Sequence, residues 1–315
     1  MLISFVIPVY NNSGPFGDCL LSLSPMLKDG TAEAVVVDDG STDDEARRLD
    51  EIVARYEKSE TVTLVRIAHS GAAAARNAAL NYAKGEYVWF VDADDTILSA
   101  YAFPLVDDLR SMPPSSSFFH IGDMLTVDTP DGALPNISPQ ASLTSQCLPL
   151  QLVFPRGSVA DHTTNIIRRQ WLEEHQEIRY PEDMQLLEDT VFALRVVEAA
   201  TLCGSNSSYR LYVRHTYHPS LTAGAWSAQR SSRFTMDICR FFRFLKEYVD
   251  RHGDYVDVRR FYERYRYVYL RVMAVKGCPW NDICQLTDVV GAVRCHQRPF
   301  YRLLAFLCKI MRRKR

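Results

Sequence analysis

Three aspartates, Asp92, Asp94 and Asp95, follow directly on the apolar run YVWFV at 87–91. A carboxylate cluster at the end of so apolar a segment repels itself unless a counter-charge is close. A divalent cation is the natural counter-charge. Hard oxygen ligands with few companions suit Mg²⁺ or Mn²⁺, ions that seldom have an all-protein cage and share their coordination with substrate phosphates. The same aspartates would also cap a helix beginning near Thr96. A second acidic turn, Asp38-Asp39-Gly40-Ser41-Thr42, would contact a base or ribose, or form an ordinary strand-to-helix turn capped by Ser or Thr. Arg76 stands in an alanine-rich stretch, as a solvated arginine or as a partner for phosphate or carboxylate one strand away from the acidic cluster.

The elements that must position these residues are short apolar runs rich in β-branched and aromatic residues. Residues 2–9, 34–38, 62–67 and 86–91 read as buried strands. Between them, 43–58 carries Leu49, Ile52, Val53 and Tyr56 at helical spacing, and Ala72 to Ala83 is a strong helix former closed by Gly85. The alternation predicts an α/β fold: a mostly parallel sheet with right-handed crossovers, helices on both faces and a ligand site beyond the carboxyl ends of the strands. Four strand ends converge there: Pro8-Val9-Tyr10-Asn11, Asp38 to Ser41, His69-Ser70-Gly71 leading to Arg76-Asn77, and Asp92 to Asp95. Residues 127–160 are loop-like, with Pro130, Gly132, Pro135 and Pro139. From 227 onward the pattern is helical and aromatic, as in FYERYRYVYL, and predicts an α-helical appendage.

With 315 residues, 47% hydrophobic and 23% charged, the chain is long enough for one large domain and an appendage. A net charge of -2 argues against nucleic acid as the main partner. The eight cysteines form no C-x-x-C pair and the opening MLISFVIPVY lacks the basic flank of a signal peptide, which together predict a cytoplasmic protein with reduced thiols. No acidic residue follows Asp288, and the segment 294–315 pairs an apolar stripe with basic residues. It would suit a helix lying peripherally on anionic membrane, or an ordinary terminal helix docked on the core with a solvated basic end.

Taken together, IPVYNN (7–12), VVVDDGSTD (35–43), GAAAARNAALNYAKGEYVWFVDADD (71–95) and LLEDTVF (186–192) closely resemble family 2 glycosyltransferases of the GT-A fold. The resemblance extends over about residues 1–222, through His162-Thr-Thr-Asn-Ile-Ile-Arg-Arg and LYVRHTYHPSLT. It implies a nucleotide-sugar half at 1–126, an acceptor half at 127–226 and a helical region at 227–315. It also implies that Pro8, Tyr10, Asp38 and Asp39 hold the nucleoside beside Gly71, with Arg76 near the diphosphate and Asp92 near ribose and metal. Asp94 would be the main ligand of Mn²⁺ or Mg²⁺, and Asp189 of the Glu188-Asp189 pair the catalytic base. Without that resemblance the pair reads as an acidic helix start. The implied reaction is inverting transfer from a nucleotide sugar, expected to be a UDP-sugar, to a hydroxyl of a glycan or lipid-linked acceptor in polysaccharide synthesis.

His215 and His218 lie where some relatives place a histidine near diphosphate or metal, and each also suits a packed or exposed residue. Two segments depart from the family pattern: His69-Ser70-Gly71 replaces Asn-x-Gly, and SLSPMLKDG lacks the common Gln. A nucleotidyltransferase would carry a basic glycine-rich loop where PVYNNSGPFGD stands. A catalytically silent nucleotide-sugar-binding or scaffold module is the alternative from another class.

Overall fold

The computed structural model describes residues 1–56, 60–122, 124–130, 145–147, 161–205, 209–218, 231–252 and 256–275, with 282, 283, 285, 286 and 289. The basic segment 294–315 and most of 127–160 lie outside the described residues. Among the described residues, no helix is long and apolar enough to cross a membrane.

The chain begins β1 (Ile3–Val9), α1 (Ser13–Lys28), β2 (Ala32–Asp38), α2 (Asp43–Ala54), β3 (Val62–Arg66), α3 (Ala72–Ala79) and β4 (Tyr87–Phe90). These four strands are mutually parallel, in the order β3-β2-β1-β4. Every residue of β2 is buried, as is all of β1 except the half-buried Pro8. Strands covered on both faces read as continuous apolar runs rather than alternating ones, which is why the sequence announces them. The chain steps outward through α1 and α2, then α3 crosses back over β2 and β1 to β4. Right-handed crossovers therefore set α1 and α2 against one face and α3 against the other.

The sheet continues with shorter elements. After β5 (Thr96–Ile97) come α4 (Phe103–Ser111), β6 (Phe118–His120), β7 (Leu125–Val127), β8 (Ser145–Cys147), β9 (Asn165–Arg168), α5 (Arg169–Glu174), α6 (Glu188–Ala199), β10 (Cys203–Ser205) and β11 (Tyr212–His215). β9 pairs antiparallel with β4 and β6, and the eight-stranded order ends β4-β9-β6-β10-β8. A separate three-stranded sheet, β5-β11-β7, stands beside the acidic cluster. The structure thus corrects the helix-capping reading of Asp92 to Asp95. No helix starts at Thr96; Thr96 and Ile97 pair antiparallel with Val213 and Tyr212, as β-branched residues favour, and α4 begins beside Pro104 instead.

Two helices are shorter than their patterns suggest. The chain leaves α2 at Ala54, and α3 ends at Ala79, after which Asn81 and Tyr82 N–H groups bond the Ala78 and Ala79 carbonyls. That tightening delivers the backbone to Glu33. Glu33 is 2% exposed, and its Oε1 accepts from Ser4 Oγ at 2.6 Å, Lys84 N at 2.6 Å and Gly85 N at 3.2 Å. Pro8 is tolerated inside β1 because pairing to β4 stops at Val6↔Phe90. Leu2 and Val6 carbonyls face β4 and that of Val9 faces Asp39, so the missing N–H of Pro8 falls on the side where the ladder has ended.

Contacts divide the chain into two compact units, one of residues 1–153, 158–183 and 188–219, the other of 154–157, 184–187 and 220–315. The second is built on α7 (Ser231–His252) and α8 (Val256–Val275). Its α7 buries Phe234, Ile238, Phe241, Phe242, Leu245 and Tyr248 at helical spacing. Buried Asp237 accepts the Gln185 N–H at 2.9 Å within this unit.

A Cβ at position 85 would lie 2.6 Å from Ser4 N and 2.7 Å from Ile3 C, both backbone atoms that cannot step aside. Gly85→Ala is expected to destabilise the chain by about 1–3 kcal/mol or more through overpacking. A urea titration reads this as a lower midpoint with unchanged slope.

Candidate active site

The loops after β1, β2 and β3 are knitted into one another. Asn11, in left-handed backbone at φ 49°, donates its N–H to Ser41 Oγ at 2.9 Å, and its Oδ1 accepts the Thr42 N–H at 2.8 Å. Asparagine is among the few residues that take this conformation readily. Asp38 Oδ1 accepts the Ser41 N–H at 2.9 Å. Asp39, 3% exposed, accepts Ser70 N–H at 2.7 Å on one oxygen and Gly71 N–H at 2.8 Å on the other. Gly40 sits at φ 72°, where a Cβ would lie 2.7 Å from His69 N; only glycine lets the β3 loop approach so closely. The His69 ring stacks on Tyr10 with centroids 4.1 Å apart, and its Nδ1 lies 2.9 Å from Asp39 Oδ2. Tyr10 is 42% exposed. An open aromatic face beside two buried carboxylates is thus displayed at the sheet's carboxyl edge.

The acidic centre is organised by Arg76. Far from being a solvated arginine, it is 6% exposed, and its two terminal nitrogens reach Asp92 Oδ1 at 2.8 Å and Glu188 Oε1 at 3.1 Å. Its guanidinium lies 5.2 Å over the Tyr180 ring, which stacks on Phe192 of α6 at 4.0 Å. Arg76 overcomes the burial that would otherwise raise Asp92, holding that carboxyl far below the usual range, with His162 assisting. Asp94 is raised by burial and by Asp92, while His218 and Arg214 pull the other way. Asp95 is pushed up to about 7 by burial and then by Asp92; it accepts the Tyr212 hydroxyl at 2.8 Å and the His215 N–H at 2.9 Å.

These residues suit a divalent cation of the kind that takes few protein ligands. Asp94 makes no ion pair among the described residues, and a hard oxygen donor whose charge is resisted by a neighbouring carboxylate gains from a cation. No cluster of three or more His, Cys, Asp or Glu residues that could hold a metal ion occurs among the described residues. Asp92 offers less, because Oδ1 is committed to Arg76.

Glu188 and Asp189 open α6. The preceding Leu187 has φ 67°, a strained turn for a branched apolar residue. Burial and Asp189 raise Glu188, and Arg76 draws it back. Asp189 is partly exposed, with Oδ1 fixed by the Thr190 N–H at 2.6 Å. So the α6 carboxylates are tied to the β4 carboxylates across one arginine. His215 proves to be packed: its Nε2 meets Thr96 Oγ1 at 2.9 Å, and the His218 ring lies against Tyr217 with centroids 4.3 Å apart. Sequence reasoning met His162 and Arg214 only within segments of the family resemblance, gave them no role, and passed over Asp161. Asp161 pairs with Arg214 at 2.8 Å and caps the 3₁₀ turn His162–Thr164. Nothing in their spacing pairs residues 53 positions apart.

Arg76→Ala would leave two carboxylates facing each other without their cation. The expected cost is about 3–5 kcal/mol, and Arg76→Lys recovers only part because a single ammonium cannot span both partners. Chemical denaturation of the two variants against the parent checks this.

Residues 4–175, more than half of the chain, match the model of glycosyl transferase family 2. Poly(ribitol-phosphate) beta-glucosyltransferase of Bacillus spizizenii is 29% identical over 217 residues, covering 67% of this chain and 32% of the relative. The chain thus spans about a third of the length of the curated relatives it matches. The crystal structure of S. aureus TarS 1–349 in complex with UDP-GlcNAc has a TM-score of 0.57 at 18% identity, covering 100% of this chain and 93% of that one. The mannosyltransferase PcManGT from Pyrobaculum calidifontis, in complex with GDP-Man and Mn²⁺, has a TM-score of 0.52 at 17% identity, covering 98% and 79%. At these identities the structural likeness establishes the GT-A fold. Since the family match runs over the strands whose ends build the site, the chain belongs to glycosyl transferase family 2.

Proposed function

We propose that the chain transfers a sugar from a UDP-sugar to a hydroxyl of a polyol-phosphate polymer, with inversion at the anomeric carbon and with a divalent cation bound. The observation that carries this reading is the Arg76 bridge, which holds the Asp92 carboxylate and the Glu188-Asp189 pair in one site. The relative from B. spizizenii is named for poly(ribitol-phosphate) and TarS is seen with UDP-GlcNAc, which supports the acceptor and donor classes.

The open ring of Tyr10 would stack against the nucleobase, with Pro8, Asp38, Asp39 and Gly71 lining its pocket and Asp92 beside the ribose. Asp94 would be the main ligand of Mn²⁺ or Mg²⁺, which when bound supplies positive charge to the departing diphosphate. Arg214 and His218, whose fields reach Asp94, would face the same phosphates. Asp189 would take the proton from the acceptor hydroxyl as its oxygen bonds to the anomeric carbon and the carbon–oxygen bond to the diphosphate breaks. General-base assistance of this kind contributes about a hundred- to ten-thousandfold. The Thr190 N–H is bonded to Oδ1, which leaves Oδ2 to take the proton.

UDP release from UDP-GlcNAc and UDP-glucose, with poly(ribitol phosphate) and Mn²⁺, tests the reading. Asp189→Asn is expected to lower kcat by about a hundred- to ten-thousandfold while still binding UDP. Asp94→Ala should lose the metal dependence of UDP binding in calorimetry. A wild-type protein that binds UDP with Mn²⁺ but turns over neither donor would instead be a nucleotide-sugar-binding module.

A further inference from the structure

His162 is 2% exposed, and neither of its ring nitrogens has a hydrogen-bond partner among the described residues. Three carboxylates stand around it, each beyond hydrogen-bond reach. Asp92 Oδ1 is 3.8 Å from Nε2, while Asp161 Oδ1 and Asp189 Oδ2 are 3.7 and 4.0 Å from Nδ1. The ring is not free to turn toward any one of them. Phe90 and Tyr180 meet it edge-on, with centroids at 6.1 and 5.8 Å, and the next residue is pinned by the Trp89 indole N–H on the Thr163 carbonyl at 2.8 Å. Asp161 locks the same turn through the Thr163 N–H and hydroxyl.

A buried polar ring held without partners is costly and calls for a reason. Its position supplies one. Nε2 faces the carboxylate on the nucleotide side, and Nδ1 faces both Asp161, which fixes the turn, and the carboxylate that would serve as base, so a single rigid ring gauges the distance between the last and the first. We propose that His162 is a positioning residue for sugar transfer, spacing Asp189 from Asp92 so that the base meets the acceptor hydroxyl in line with the bond to be broken.

Arg76 ties Asp92 to Glu188 on one side; His162 fixes the separation on the other. A rigid ring presents one nitrogen toward each of the two carboxylates, a fixed separation that a flexible lysine there would not hold. The inference rests on Asp189 being the base.

The test compares His162→Phe, which keeps a ring and removes the nitrogens, with His162→Gln, which restores a polar donor and acceptor, in the same UDP-release assay. For His162→Phe the expected result is a kcat at least about tenfold lower, since an ångström of misplacement costs on the order of a hundredfold. Its UDP affinity with Mn²⁺, acceptor KM and thermal midpoint should stay near wild type, and His162→Gln should recover part of the rate. A merely structural role would move the midpoint and UDP affinity together, which would overturn the proposal, as would a kcat for His162→Phe within about twofold of wild type. Asp189→Asn is run alongside. If it turns over normally, or wild type does not turn over at all, the proposed function falls and this inference with it. If Asp189→Asn is inactive while His162→Phe is fully active, the spacing role alone falls.

Discussion

A cation buried among acids is the constraint on which the rest of this site depends. Arg76 lies on α3 between two carboxylates separated from it by 16 and 112 residues. Burying any of the three charges alone would cost several kcal/mol; together they are tolerated because each offsets the others' desolvation. The alanines before Arg76 let α3 pack closely on β1 and β2, and the ring of Tyr180 covers the guanidinium face. The arginine therefore does more than add charge near a phosphate. It decides where β4 and α6 present their acids.

The first half of the fold was legible because its physics is local. Strands buried on both faces are continuous apolar runs, and helices between them carry their own period. Legibility failed where an element depends on something distant. β6, β9 and β10 are three or four residues long, too short for any period, and owe their existence to neighbours already in place. Thr96 and Ile97 look like the end of a capped turn until β11, more than a hundred residues later, arrives to pair with them. Arg76 shows the same limit within a side chain: its spacing tells that it is on a helix, not that its partner at Glu188 will bury it. Tyr10, Asp38 and Asp39 were visible as strand-end residues, but the stacking of His69 on Tyr10 depends on Gly40 admitting the neighbouring loop. Glu33 carried a signal that was passed over, an acid inside the apolar strand AEAVVVD.

The two ends of the parallel strands differ in kind. At the amino ends, Glu33 accepts every donor that the turn before β4 brings to it. At the carboxyl ends lie the left-handed backbone of Asn11 and the unpartnered Arg76 Nε and His162 ring.

Asn11, Ser41, Asp38, Asp39, Ser70 and His69 are linked through three loops by side-chain bonds and the Asp38–Asp39 peptide. Loops coupled in this way do not drift independently in evolution. A descendant with a different loop surface must replace partners in two or three of them together, because any single exchange leaves a bond of the chain unmade. Diversity among relatives at this edge should therefore be inherited as matched sets.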